Sequence, residues 1–159
     1  MSKSLSKMQS GLALAGFIVV TFCAPLLSVG VGSMPGAWYA ALNKPTWNPP
    51  PWVFGPTWTL LYTLMAVAAW MVWKRSGFSK PLVLYFVQLA LNAAWTPIFF
   101  GLHWLGVSVT VIVVLWLMIA AMLVSFRRVR GTAGWLLVPY LMWVSFATAL
   151  NVTIWQLNG

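Results

Sequence analysis

Gln88, Asn92, Trp95 and Phe99 follow one another at intervals of four, three and four within an apolar run, so a helix carries all four on one face. Amides in hydrocarbon need partners, and such a face can either tie neighbouring helices together or meet a ligand. Both roles stay open for Asn92. Phe54, Trp58, Tyr62 and Met65 make a second aromatic face, at intervals of four, four and three. Trp135, Pro139, Trp143, Ala147 and Leu150 make a third. Packed together, the three faces would form an ordinary aromatic core. Ala147 argues for more, because a small residue one turn from Trp143 leaves space beside a large flat ring. That space suits a planar, apolar molecule.

Other chemistries are excluded by composition. The chain has no Asp or Glu, so paired-carboxylate catalysis, carboxylate-oriented triads and acidic Mg²⁺ or Ca²⁺ sites have no residues to build them. No metal site is expected. His103, the single histidine, falls at a turn and reads as an interfacial residue rather than a metal or haem ligand. Cys23 is alone, so no disulfide can form within the chain.

The elements that must hold these faces are membrane helices. Of 159 residues, 62% are hydrophobic, well above the roughly 45–50% of a soluble domain. Five apolar segments, about 10–31, 55–73, 81–101, 105–126 and 132–155, are each about as long as the 20 residues that cross a hydrocarbon core. The expected fold is an all-α, five-helix transmembrane bundle in a single domain covering 1–159. The first segment is too long for a signal peptide and lacks a convincing cleavage site. Pro97 and Pro139 each remove an amide and free the carbonyl four residues earlier, predicting kinks in the third and fifth spans.

The net charge is +9. Eight of the nine basic residues (Lys3, Lys7, Lys74, Arg75, Lys80, Arg127, Arg128 and Arg130) fall on one side of the five-span arrangement, and Lys44 alone on the other. This asymmetry predicts a cytoplasmic N-terminus, an outer C-terminus and anionic lipid headgroups, not nucleic acid, as the partner of the basic loops. The plasma membrane of a bacterium is the expected location, with an outer membrane, bacterial or mitochondrial, as alternative. Trp38, Trp104 and Trp155 near span ends read as interfacial anchors. Ala90 and Ala94 form a small-xxx-small pair that would let two copies approach as a homodimer.

The loop at 32–54 is the substantial region outside the bilayer. Its core, NKPTWNPPPWVFGPTW (Asn43 to Trp58), places five prolines and three tryptophans in sixteen residues. Pro49, Pro50 and Pro51 in series favour an extended path and postpone the next helix until the run ends. Pro56 suits that helix's first turn. Trp47, Pro49, Pro50 and Trp52 thus form a stiff lid over the helix faces.

The pattern L-N-K-P-x-W-x-P-P-x-W-x-F-x-x-x-W resembles the signature of the translocator protein family (TspO/MBR, the tryptophan-rich sensory proteins, whose mitochondrial member is the peripheral benzodiazepine receptor). QLALNAAWTPIFF (Gln88 to Phe100) and WLLVPYLMWVSFATALN (Trp135 to Asn151) are similar to its third- and fifth-helix motifs. The resemblance implies binding of porphyrins, such as protoporphyrin IX or haem, and other planar hydrophobic ligands, with no cofactor. It also implies a pocket at Tyr39, Phe54, Trp58, Tyr62, Asn92, Trp95, Trp143, Ala147 and Leu150. The family's sterol motif after the fifth helix is absent, since the chain reads IWQLNG there. Three functions remain open: a porphyrin-binding receptor or transporter without enzymatic activity, a light-dependent porphyrin-degrading activity of the pocket tryptophans, and a regulatory scaffold.

Overall fold

The computed structural model describes residues 6–30 and 35–159. Lys3 and the start of the lid loop at 32–34 lie outside the described residues. Among the described residues seven α-helices follow in order: α1 (Lys7–Gly30), α2 (Ala37–Ala41), α3 (Phe54–Ser76), α4 (Lys80–Thr96), α5 (Leu105–Val129), α6 (Gly131–Trp135) and α7 (Val138–Asn158). Among the described residues there is no strand. Five helical stretches are long and apolar enough to cross a membrane: 7–28, 51–76, 80–101, 105–129 and 131–158. The expected five-span bundle is the architecture found.

Local chemistry sets the ends. Ser6 and Gln9 form a reciprocal capping box at the start of α1, with Ser6 N–H donating to Gln9 Oε1 at 3.0 Å and Gln9 N–H to Ser6 Oγ at 3.1 Å. Pro51–Val53 makes one 3₁₀ turn, and α3 begins directly after the proline run with Pro56 in its first turn. Gly77 ends α3 at φ +62°, a conformation that side chains rarely adopt. Lys74 and Arg75 occupy the last turn of α3, and Arg127 and Arg128 that of α5, where cations complement the helix dipole.

The two predicted kinks resolve differently. At Pro97 the backbone widens into a π-helical turn, Pro97–Gly101, whose Leu102 N–H reaches back to the Pro97 carbonyl at 2.9 Å. The carbonyl of Ala93, deprived of its usual amide by Pro97, accepts instead from Ser28 Oγ of α1 at 3.0 Å, sharing that one O–H with the Ala24 carbonyl at 3.1 Å. Pro139 does not kink a continuous helix. It sits in the first turn of α7, after α6 has ended at Trp135 and residues 136–137 have turned the chain. The fifth span is therefore two helices, with Pro139 at a helix start, where its missing N–H would lack an intrahelical partner anyway; Pro25, by contrast, lies inside the continuous α1.

α1 packs on α3 and α4; α5 packs on α4, α6 and α7; and α3 reaches α6 across the bundle. The buried core runs through Met65, Ala66, Ala68, Ala69 and Val72 of α3, Leu82 and Tyr85 of α4, Ile119, Met122 and Phe126 of α5, and Tyr140 and Val144 of α7. At the basic end α6 lies so close to α5 that a Cβ on Gly134 would stand 2.6 Å from Arg127 Cβ. Hydroxyls on the outer faces, including Thr59, Thr63, Ser145 and Thr153, donate to carbonyls four residues earlier, leaving no donor bare toward lipid at those positions.

Candidate ligand site

Four polar side chains from three helices meet in the middle of the bundle. Tyr62 O–H of α3 donates to Asn92 Oδ1 of α4 at 2.7 Å, and Asn92 Nδ2 donates to the Tyr140 hydroxyl of α7 at 3.0 Å. Tyr140 O–H then donates to Gln88 Oε1 at 2.9 Å, and Gln88 Nε2 to Met65 Sδ at 3.0 Å. Asn92 is 6% exposed and uses both ends of its amide. Its geometry here is that of a helix tie, one of the two roles its sequence position left open.

A second chain of polar contacts joins α4, α7 and α5 closer to the lid. Trp95 Nε1 donates to Asn151 Oδ1 at 3.0 Å, Asn151 Nδ2 to Ser108 Oγ at 3.0 Å, and Ser108 Oγ to the Leu105 carbonyl at 2.7 Å. Trp95 is thereby held with its ring stacked on Phe99, centroids 5.0 Å apart.

Above the amide layer the walls are rings. Trp58 stacks on Tyr62 with centroids 5.2 Å apart and meets Tyr140 edge-on at 6.2 Å. Phe54 meets Trp143 edge-on at 5.8 Å, and Trp143 leans on Phe146 at 5.5 Å. Phe54, Trp58, Trp143 and Ala147 are all half-buried. Trp143 is the exception in polar terms. Among the described residues its Nε1 is the one buried side-chain nitrogen or oxygen without a hydrogen-bond partner. An orphaned indole N–H in an apolar setting costs about 1–3 kcal/mol, and neighbouring ring faces offer it only a weak π contact.

The lid is pinned at several points. Lys44 Nζ donates to the carbonyls of Tyr39, Ala40 and Leu42 at 2.6, 3.2 and 3.0 Å, closing the C-terminal end of α2, and lies 4.9 Å from the centre of the Tyr39 ring. Tyr39 O–H donates to Asn48 Oδ1 at 3.3 Å, and burial pushes the Tyr39 phenol above its ordinary value. Asn158 at the end of α7 clasps the loop as a second backbone strand would: Asn43 N–H donates to its Oδ1 at 2.9 Å, and its Nδ2 donates to the Asn43 carbonyl at 2.8 Å. Trp38 stacks on His103 at 3.9 Å, and Trp47 meets Phe146 edge-on at 5.7 Å. The TspO/MBR family model matches residues 13–156. The chain belongs to the TspO/MBR family.

Individual relatives agree. The chain is 43% identical over 136 residues to a tryptophan-rich sensory protein of Cereibacter sphaeroides, covering 86% of each chain. It is 45% identical over 129 residues to the tryptophan-rich protein TspO of Chlorobaculum tepidum, covering 78% of this chain and 82% of that one. It is 44% identical over 126 residues to the human translocator protein, covering 76% of this chain and 75% of that one. With five membrane-length helices and bacterial relatives of similar extent, this TspO/MBR protein is a multi-pass membrane protein of the bacterial type.

Within that family frame, the nine expected pocket positions sort into layers. Tyr39, Phe54, Leu150 and Trp95 gather around Phe99 and Ile154 beneath the lid, while Trp58, Tyr62, Trp143 and Ala147 border the central core. Asn92 lies deeper still, within the amide network. Trp52 of the lid is 74% exposed and Trp47 is also exposed, whereas Pro49 is half-buried. Trp135 does not join the inward face of α7. It lies on α6, 62% exposed, with the Arg127 guanidinium 5.1 Å from its ring centre, because the turn at residues 136–137 interrupts the helix and resets its phase. Tyr140 was missed by the sequence reading, although a phenol three residues before Trp143 inside an apolar span must find a partner.

Proposed function

We propose that this protein binds porphyrins, protoporphyrin IX or haem among them, and other planar hydrophobic molecules between Trp58 and Trp143 beneath the proline-rich lid, as a receptor- or transporter-like regulator. The observation that carries this reading is the buried, unpartnered Nε1–H of Trp143, one turn from Ala147 on α7. A ligand with an acceptor at its edge, such as a carboxylate or carbonyl, satisfies that N–H, and its flat face stacks on the half-buried indoles. Each aromatic contact contributes about 0.5–1.5 kcal/mol beyond area burial. Asn92, already committed to Tyr62 and Tyr140, supports the wall rather than holding the ligand. A homodimer through α4 accompanies the reading, with Ala90 exposed and Ala94 half-buried on that helix.

The test is a tryptophan-quenching titration with protoporphyrin IX, run in the dark and under illumination. Trp143→Phe, which keeps the ring and removes the donor, weakens dark binding by about two- to tenfold. Trp155→Phe, at an exposed ring packed on Gly106, leaves it unchanged. Equal losses in both variants would move the ligand to the membrane interface and sink the reading. Product that forms only in light and vanishes with Trp58→Phe or Trp143→Phe would shift the assignment to photodegradation.

A further inference from the structure

Five exposed cations crowd one corner of the basic end: Lys74 and Arg75 finish α3, and Arg127, Arg128 and Arg130 finish α5. The short helix α6 packs against both α3 and α5 and closes the corner. With no Asp or Glu anywhere in the chain, nothing internal neutralises these groups, so their counter-charge comes from outside. Two of them are already oriented. Arg127 lies over the ring of exposed Trp135, and Lys74 Nζ lies 4.5 Å from the ring centre of Trp70. Trp70 is itself fixed by donating Nε1–H to the Ser10 carbonyl at 2.9 Å.

We propose that this α3–α5–α6 corner is a binding site for the phosphodiester headgroup of an anionic phospholipid. A guanidinium held over an indole is limited in its orientations, and its planar fork of donors suits two-point contact with a phosphate better than a freely rotating ammonium does. Indoles favour the depth at which headgroups lie. Phe78, 79% exposed in the turn between α3 and α4 at the same end, supplies an apolar surface for the leaflet below that depth. A soluble polyanion has no use for it. The closeness of Gly134 to Arg127 holds α6, and hence Trp135, against the arginine.

The test uses the full chain in nanodiscs of mixed phosphatidylcholine and phosphatidylglycerol, followed by detergent exchange and quantitation of the retained headgroups. Wild type retains phosphatidylglycerol above its bulk ratio. Arg127→Gln lowers that enrichment by about fivefold. Arg127→Lys and Trp135→Leu, which conserve charge, also lower it. Lys80→Gln, which removes one charge from α4, outside the corner, leaves it unchanged. Equal losses for Arg127→Gln and Lys80→Gln, with Arg127→Lys like wild type, would reduce the effect to a diffuse field and overturn the site. Absence of enrichment in wild type, or displacement of the lipid to the same extent by inorganic phosphate and by chloride of equal ionic strength, would overturn it as well.

Discussion

The amide layer and the ring layer lie one helical turn apart and are built on opposite terms. In the amide layer Gln88, Asn92, Tyr62 and Tyr140 bond one another across three helices. In the ring layer Trp58, Phe54, Trp143 and Ala147 touch mainly through ring edges and faces, and one indole N–H is left unbonded. A satisfied polar network fixes a unique arrangement of helices, whereas an unsatisfied donor in an apolar wall is a place for something else to bind. On the proposed function, stability and recognition fall to neighbouring turns of the same helices.

Asn92→Leu breaks the comparison most severely. It removes two ties at once and strands the hydroxyl of Tyr62, for an expected loss of about 1–3 kcal/mol read as a lowered unfolding midpoint in detergent. Trp143→Ala acts on the other layer, weakening protoporphyrin IX binding by about one to two powers of ten through lost stacking and the lost donor. Its effect on unfolding is the smaller of the two. Were Trp143→Ala to destabilise the fold as much as Asn92→Leu does, the division between layers would fail.

Ala147→Leu sharpens the comparison by filling space rather than emptying it. Added methyl groups beside Trp143 exclude ligand while leaving the amide network intact, so affinity falls and the unfolding midpoint holds. Smaller again is Asn158→Ala. It releases the clasp on Asn43 without touching either layer, so porphyrin on- and off-rates rise together in stopped-flow quenching and the equilibrium affinity moves little.

The smallest effect is set by pH. Burial raises the Tyr39 phenol above 10.0, so the folded lid prefers the protonated form. The stability this contributes is complete below the ordinary phenol range and disappears as pH climbs through the raised value. Lid opening, followed by protection of a cysteine placed at the half-buried Leu42 from alkylation in a Cys23→Ala background, therefore increases only in strong alkali. Tyr39→Phe removes that alkaline step.

The spans, their order and the helix start after Pro51 were legible because length, hydropathy and proline act locally. So was the placing of Trp58 with Tyr62 on one helix face and of Gln88 with Asn92 on another, which follows from period; that the two faces meet through Tyr62 and Asn92 did not follow from it. The fate of Pro139 was not, since a proline in an apolar run signals a disturbance without saying whether the helix bends or restarts. Trp135 was assigned to the wrong surface for that reason. The orphaned donor of Trp143 could not be read at all: lacking a partner is a property of the assembled neighbourhood, not of the residue. Asn158 carries no signal in the sequence, and only the folded chain brings it to Asn43.

Ser28 and Pro97 carry a consequence for how this sequence can change. Proline strips Ala93 of its amide partner, and a hydroxyl on another helix replaces it. The two residues are therefore conditional on each other. Ser28→Ala is harmful while Pro97 is present and close to neutral beside Pro97→Ala, where the ordinary helical bond returns. A double-mutant cycle gives them a coupling that neither shows alone, and the order of change matters: Ser28 becomes replaceable only after Pro97 has been replaced.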